Sequence, residues 1–280
     1  MIHVPRDLTA VMRLDLAESL RSRWLLLCVG LYAVLGAIFV LVGLRESSLL
    51  GFTGMGRVLL SACHAMLLLI PLLALTATVQ VINRARDDGT LEFLFSQPIR
   101  RGAYFLAVSL SRYATLALPL VILLALMGLF AQVVFHQPIP WLMLGRAMAI
   151  CATLMLAFTG IGLFVSTFVR SQAKAVTWSV IAWMAGVAIL DFGLISLMLE
   201  WQVNARLVFV LAVLNPVQAA RMALLSAAEP ELSVLGPVGF YLTNRLGPTL
   251  LFALGTLGPA VVGILAWWLA LRRFSRGDVV

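Results

Sequence analysis

Six stretches of the chain are apolar for long enough to cross a bilayer: residues 24–44, 59–82, 113–135, 147–169, 175–199 and 249–271. A crossing helix needs about 20 mainly apolar residues, because each residue rises about 1.5 Å and the hydrocarbon core is about 30 Å thick. The runs are too long and too continuously apolar for barrel strands, and only helices or closed barrels satisfy their backbone in lipid. The pattern therefore predicts an all-α polytopic membrane protein with six transmembrane helices. Pro71, Pro119 and Pro259 fall inside these runs, where they are expected to kink the helices. Ahead of the first run, Leu8, Met12, Leu16 and Leu20 recur every four residues with Arg13 and Arg21 off that stripe. This suits an N-terminal amphipathic helix lying at the interface. Two connecting stretches stand out, 83–112 and 200–248. Within the second, Asn215–Pro216 reads as a helix start, an N-cap followed by proline at the first helical position. Pro230 reads as its stop, and the 207–214 run, too short to span, is read as dipping into the interface.

Charge placement orients the chain. The 20 Lys and Arg residues divide fourteen to six between the two sides that six spans define, the richer side carrying both termini. By the positive-inside rule the N- and C-termini are cytoplasmic, the 83–112 stretch is cytoplasmic and the 200–248 stretch lies outside. Composition agrees: 62% of residues are hydrophobic, 11% are charged, and mean hydropathy is +1.04. A soluble domain carries about 25% charged residues, so lipid is the main solvent here. The net charge of +8 does not point to nucleic acid, because the basic residues sit between apolar runs and form no stripe with interleaved aromatics. Cys28, Cys63 and Cys151 all lie inside apolar runs, an odd count that argues against a disulfide framework. Arg13, Asp15, Glu18, Arg21 and Arg23 precede the first run, which continues long enough to span and has no small-residue cleavage site. It is therefore read as a retained helix rather than a signal peptide.

Little in the chain suggests catalysis. Lys174 is the only lysine and sits in SQAKAV with no glycine nearby, so no phosphate-binding P-loop is present. His3, His64 and His136 fall in three separate regions and form no HExxH pair. Asp191 sits in the fifth run, where an ionised carboxylate costs roughly 2.5–3.5 kcal/mol on insertion scales, which makes it an intramembrane functional candidate. Its structural alternative is a hydrogen bond to a neighbouring helix. Cys63, His64 and Met66, and Met148, Cys151 and Met155, have donor types that suit Cu(I). Such residues also simply pack well in apolar helices, and adjacent Cys63 and His64 diverge by about 100° on a helix; no metal or other cofactor is expected. Ala253, Gly255, Gly258, Ala260 and Gly263 make the last run rich in small residues, which permit close helix approach, here expected within the subunit.

The sharpest motif is DDGTLEFLFSQPIRR at residues 87–101. Two acids lead into Gly89 and Thr90, then a short apolar-rich helix with Glu92, stopped at Pro98. Leu91, Phe93, Leu94 and Phe95 are apolar in a connecting loop, where water penalises them unless a membrane or protein surface covers them. Gly89, Thr90, Leu91, Glu92, Leu94, Ser96, Pro98 and Arg101 resemble the coupling loop of ABC-2 type permeases. The chain departs from that pattern at Ala85, where an upstream acid is common, and at Val108, where a basic residue is expected. Further stretches resemble one subgroup, the permease of the nitrous-oxide-reductase maturation transporter: 20–24 (LRSRW), 191–194 (DFGL), Asn215 and Pro216 with Ala220 and Arg221, and the 272–280 tail.

The resemblance implies a single ABC-2 permease domain over 1–280 in the inner membrane, without catalytic residues of its own. It implies a homodimer with two copies of a separate ABC ATPase subunit, docked through Gly89, Thr90, Leu91, Glu92, Phe93, Leu94, Pro98 and Arg101. It also implies a periplasmic partner protein serving copper-site assembly, with Asn215, Pro216 and Arg221 as outer docking candidates. The alternative from another class is a self-sufficient secondary transporter, which would usually show inverted repeats and several midplane ionisable groups. A membrane enzyme lacks any constellation of candidate residues.

Overall fold

The computed structural model describes residues 6–50, 54–97, 99–135, 141–189, 205–228 and 247–276. Every regular element among them is helical: α1 (Arg6–Arg21), α2 (Arg23–Leu50), α3 (Gly54–Thr78), α4 (Val81–Asp87), α5 (Thr90–Phe95), α6 (Arg101–Phe135) and α7 (Trp141–Phe168). Then come α8 (Gln172–Trp183), which runs into a π-helical turn Met184–Ile189, and α9 (Ala205–Leu214), α10 (Pro216–Ala228) and α11 (Gly247–Arg276).

Four described stretches are long and apolar enough to cross a bilayer: Ser61–Asp87, Arg101–Phe130, Trp141–Phe168 and Gly247–Arg276. A fifth is counted if Val11–Arg21 and Arg23–Ile38, bent by 60°, are taken together. The fifth expected run begins as α8, but residues 190–199, Asp191 among them, lie outside the described residues. One boundary moves. α6 starts at Arg101, well ahead of residue 113, so much of the expected 83–112 connection is helix. The serines that look like a polar interruption do not break it, because Ser109 and Ser111 turn their hydroxyls back onto the carbonyls of Leu106 and Ala107 (3.0 and 2.6 Å). Pro71, Pro119 and Pro259 likewise sit inside continuous helices.

The 60° elbow between α1 and α2 is capped by Ser22, whose Oγ accepts the Trp24 backbone N–H at 3.1 Å. α1 packs on α6, though not through the expected stripe. Val11 and Ser19 are buried and Asp15 nearly so, whereas Leu20 and Leu14 are 58% and 69% exposed. The buried line at 11, 15 and 19 carries a carboxylate and a hydroxyl, which hides it from a search for apolar periodicity. Asp15 finds its partner in Arg112 of α6, Oδ1 to Nη2 at 3.0 Å. Burial pushes the Asp15 carboxyl above its ordinary range, only partly offset by the Arg112 guanidinium. The pair therefore fixes where α1 sits on α6 more than it adds stability.

The main core gathers α2, α3, α6 and α7 around Tyr32, Met66, Ile70, Leu120, Leu154 and Phe158. α7 and α11 meet backbone to backbone. A Cβ on Gly263 would stand 2.7 Å from the Leu156 carbonyl oxygen and 2.8 Å from the Ala157 Cα, and Gly160 faces Gly263 from the other side. Gly255 is similarly closed in by Ala219 and Ala223 of α10. Gly255 and Gly263 of the last run thus serve packing within the chain.

Part of the 200–248 stretch, α10, is packed into the bundle rather than lying free. Val217, Ala220, Ala223 and Leu224 are buried in the main core beside α3, α7 and α11. A 13-residue helix is too short to signal a span, and its small buried face matters only because Gly255 lies opposite.

Candidate functional site

The DDGTLEFLF motif forms a compact turn at the end of the bundle where α11 finishes. α4 ends with the Asp88 and Gly89 backbone N–H groups donating to the Arg84 and Arg86 carbonyls (2.9 and 3.1 Å). Gly89 then takes φ +69°, a left-handed conformation that glycine adopts without a Cβ penalty, and α5 begins. Leu91 points inward and is completely buried among Ile82, Tyr104, Phe105 and Phe274. Leu94 and Phe95 are half-buried against the same cluster. Phe95 meets Tyr104 edge-on at 5.9 Å and Phe274 at 6.2 Å, with the Arg101 guanidinium 5.6 Å from its ring.

Outward, α5 presents Thr90, Glu92 and Phe93, the last 67% exposed. The motif thus divides into anchors and contacts. Leu91 holds the turn to the bundle and has no surface left for a partner, while Glu92 and Phe93 are the side chains offered. Pro98 lies outside the described residues.

The turn is tied to three further helices. α11 reaches it through Phe274, α6 through Tyr104 and Phe105, and α8 through Gln172, whose Nε2 donates to Asp87 Oδ2 at 2.6 Å. At the break between α3 and α4, the Ile82 N–H donates to Ser166 Oγ of α7 at 3.0 Å. Asn83 is fully buried there. Its Oδ1 accepts Arg86 Nη1 at 3.2 Å, and its Nδ2 has no partner among the described residues. Nothing in sequence singles out Asn83, since one polar residue beside the charged motif reads as solvated.

The opposite end of the bundle holds a second junction. Asn215 is buried, and both ends of its amide are used: Oδ1 accepts the Val217 N–H at 3.0 Å, capping α10, and Nδ2 donates to the Gly186 carbonyl at 2.7 Å. That carbonyl belongs to the π-helical turn, and widened turns of this kind leave backbone groups in need of partners. The N-cap reading of Asn215 holds, and both ends of its amide are engaged inside the chain. Pro216 and Arg221 are half-buried. Replacing Asn215 with alanine removes a cap, worth about 1 kcal/mol, and a buried hydrogen bond of about 1 kcal/mol. The detergent-solubilised melting temperature should fall accordingly, and Asn215→Asp, which can cap α10 but cannot donate to Gly186, should fall between.

Cys28, Cys63 and Cys151 are buried free thiols. Cys63 and Met66 lie in the main core, and no group of three His, Cys, Asp or Glu among the described residues could hold a metal ion. The small end-of-helix turn is exposed on one face and packed against several helices on the other.

Residues 9–279 match the ABC-2 family transporter protein model, so the chain belongs to that family. It is a permease subunit of an ABC transporter. Among known proteins it is 29% identical over 233 residues to the "Probable ABC transporter permease protein NosY" of Stutzerimonas stutzeri, covering 81% of this chain and 84% of that one. It is 27% identical over 226 residues to the protein of the same name from Pseudomonas aeruginosa, covering 78% and 82%.

Proposed function

We propose that the chain is one half of a homodimeric inner-membrane transporter whose two separate ATPase subunits dock on α5. The observation that carries this reading is the division of labour in the motif: Leu91 wholly buried, with Glu92 and Phe93 of the same short helix exposed. ATP-driven closure of the ATPases would displace α5, and the aromatic contacts to Phe274 would pass the displacement into α11. From Phe274 to Gly255 α11 runs about 28 Å, which carries the motion to α10 at the far end. Such a chain works by biasing two arrangements of packed helices.

The NosY likeness and the subgroup motifs support a role in nitrous oxide reductase maturation. The work would then be spent on export or on a periplasmic partner of copper-site assembly, held by the 200–248 stretch. In this reading the chain is a single domain of six spans with both termini cytoplasmic. Asp191 is its intramembrane polar contact, and Asp191→Asn should insert normally yet fail to complement the transporter.

Co-expression with an ATPase encoded beside it should yield a complex that hydrolyses ATP, while the chain alone should not. Transport by the purified chain alone, driven by an ion gradient, would instead establish a self-sufficient secondary transporter. Orientation is read separately with Ala228→Cys and Asp88→Cys. The native thiols are buried, so an impermeant thiol reagent applied to intact cells should label the first variant and spare the second. The reverse pattern would invert the topology.

A further inference from the structure

Behind the α1–α2 elbow lies a cavity of about 360 Å³, walled by α1, α2, the α3–α4 break, α6 and α8. Glu18 and Arg84, both exposed, stand at its mouth, and Trp24 and Arg112 line it more deeply. A recess that shares Ser22, Trp24, Ala77 and Arg112 with it extends to Ser19. Trp24 Nε1, Arg112 Nε and Ser19 Oγ are buried and find no hydrogen-bond partner among the described residues, and Ser19 as a whole is 3% exposed. The indole and guanidinium N–H groups can only donate. Leaving such donors buried without an acceptor costs free energy, so their convergence asks for oxygen from outside the chain. The volume is roughly ten times the share of one liquid water, about 30 Å³, and falls in the range of small-ligand sites, about 300–1,000 Å³.

Location narrows the ligand. Trp24 opens the first apolar run, and aromatic side chains of this kind mark the membrane–water interface. The walls continue into lipid-like surface, with Leu26 and Leu27 of α2 and Val176, Val180 and Ile181 of α8 all exposed. The Arg84 guanidinium, the Arg112 Nε–H that its pairing with Asp15 leaves unused and the Trp24 indole N–H suit a phosphate oxyanion, and the Glu18 carboxylate at the mouth suits an amine beside it. Basic pockets between helices at this depth take lipid headgroups.

We infer that this cavity binds the phosphate of a zwitterionic phospholipid headgroup, wedged between the elbow and the α3–α4 break, with its chains lying along α2 and α8. The site goes beyond the ATPase reading and does not depend on it.

The full chain, purified and stripped of lipid in detergent, is titrated with phosphatidylethanolamine, with diacylglycerol of the same chains, and with inorganic phosphate. Retained adducts are read by native mass spectrometry and stability by melting temperature. Phosphatidylethanolamine should bind and raise the melting temperature, and diacylglycerol should not. Trp24→Phe, which keeps the ring and removes only the N–H, should weaken lipid binding about tenfold, the scale of one hydrogen bond to a charged group. Ser19→Ala provides a second variant that leaves the Asp15–Arg112 pair intact. Equal stabilisation by diacylglycerol, or unchanged binding in both folded variants, would overturn the site. Stabilisation by inorganic phosphate as strong as that by the lipid would overturn the lipid as its source.

Discussion

Phe93→Asp is expected to strip the ATPase subunit from the membrane complex while leaving the helix bundle folded. Phe93 is 67% exposed on α5 and touches none of the buried clusters, so the substitution removes nothing from the core. A desolvated apolar contact at the centre of an interface typically contributes at least ~2 kcal/mol, a factor of about 30 in affinity. Placing a carboxylate there adds the cost of burying a charge. The measurement is co-purification of the ATPase with the tagged permease, beside the melting temperature of the permease alone. Leu91→Ala supplies the contrast. That side chain is fully buried, so its truncation should cost about 2–5 kcal/mol of stability and lower the melting temperature. Undiminished co-purification of Phe93→Asp would remove α5 as the docking element.

The second large effect lies at the α7–α11 seam. Gly263→Leu should prevent assembly of the bundle, because even its Cβ would stand 2.7–2.8 Å from backbone atoms of Leu156 and Ala157. Overpacking with side chains that can yield costs about 1–3 kcal/mol; here the obstacle is main chain within a helix, so the loss should exceed that range. Gly258 on the same helix is the control. A Cβ there meets only the Val213 carbonyl at 3.8 Å, and Gly258→Ala should be neutral or gain up to about 1 kcal/mol from helix propensity. Size-exclusion profiles of the two variants in detergent separate the outcomes: an aggregated Gly263→Leu beside a monodisperse Gly258→Ala.

Four of the spans were legible because length and apolarity suffice to mark a helix in lipid, and the 87–101 motif stood out because apolar residues beside acids and a glycine are out of place in a loop. Three features were not. The face of α1 that packs on α6 is built on Asp15 and Ser19, polar residues whose burial depends on Arg112, far away in the chain. α10 is short, and its small residues acquire meaning only opposite Gly255. Within the motif, the pattern could group Leu91 with Phe93 but could not tell which faced inward, since that depends on Phe274 arriving from the other end of the sequence. The π-helical turn has no sequence signature that propensity or periodicity would find.

That turn carries a geometric consequence. A π-helical turn accommodates one residue more than the α-helix around it, and each residue of an α-helix advances about 100° around its axis. Reverting Met184–Ile189 to α-helical bonding would therefore rotate α8 by about 100° against the far end of that turn, with no change in the length of the chain. The hydrogen bond from Asn215 to Gly186 pins the carbonyl that would have to be reclaimed. That hydrogen bond ties the widened turn to α10, the helix that closes on α11 at Gly255.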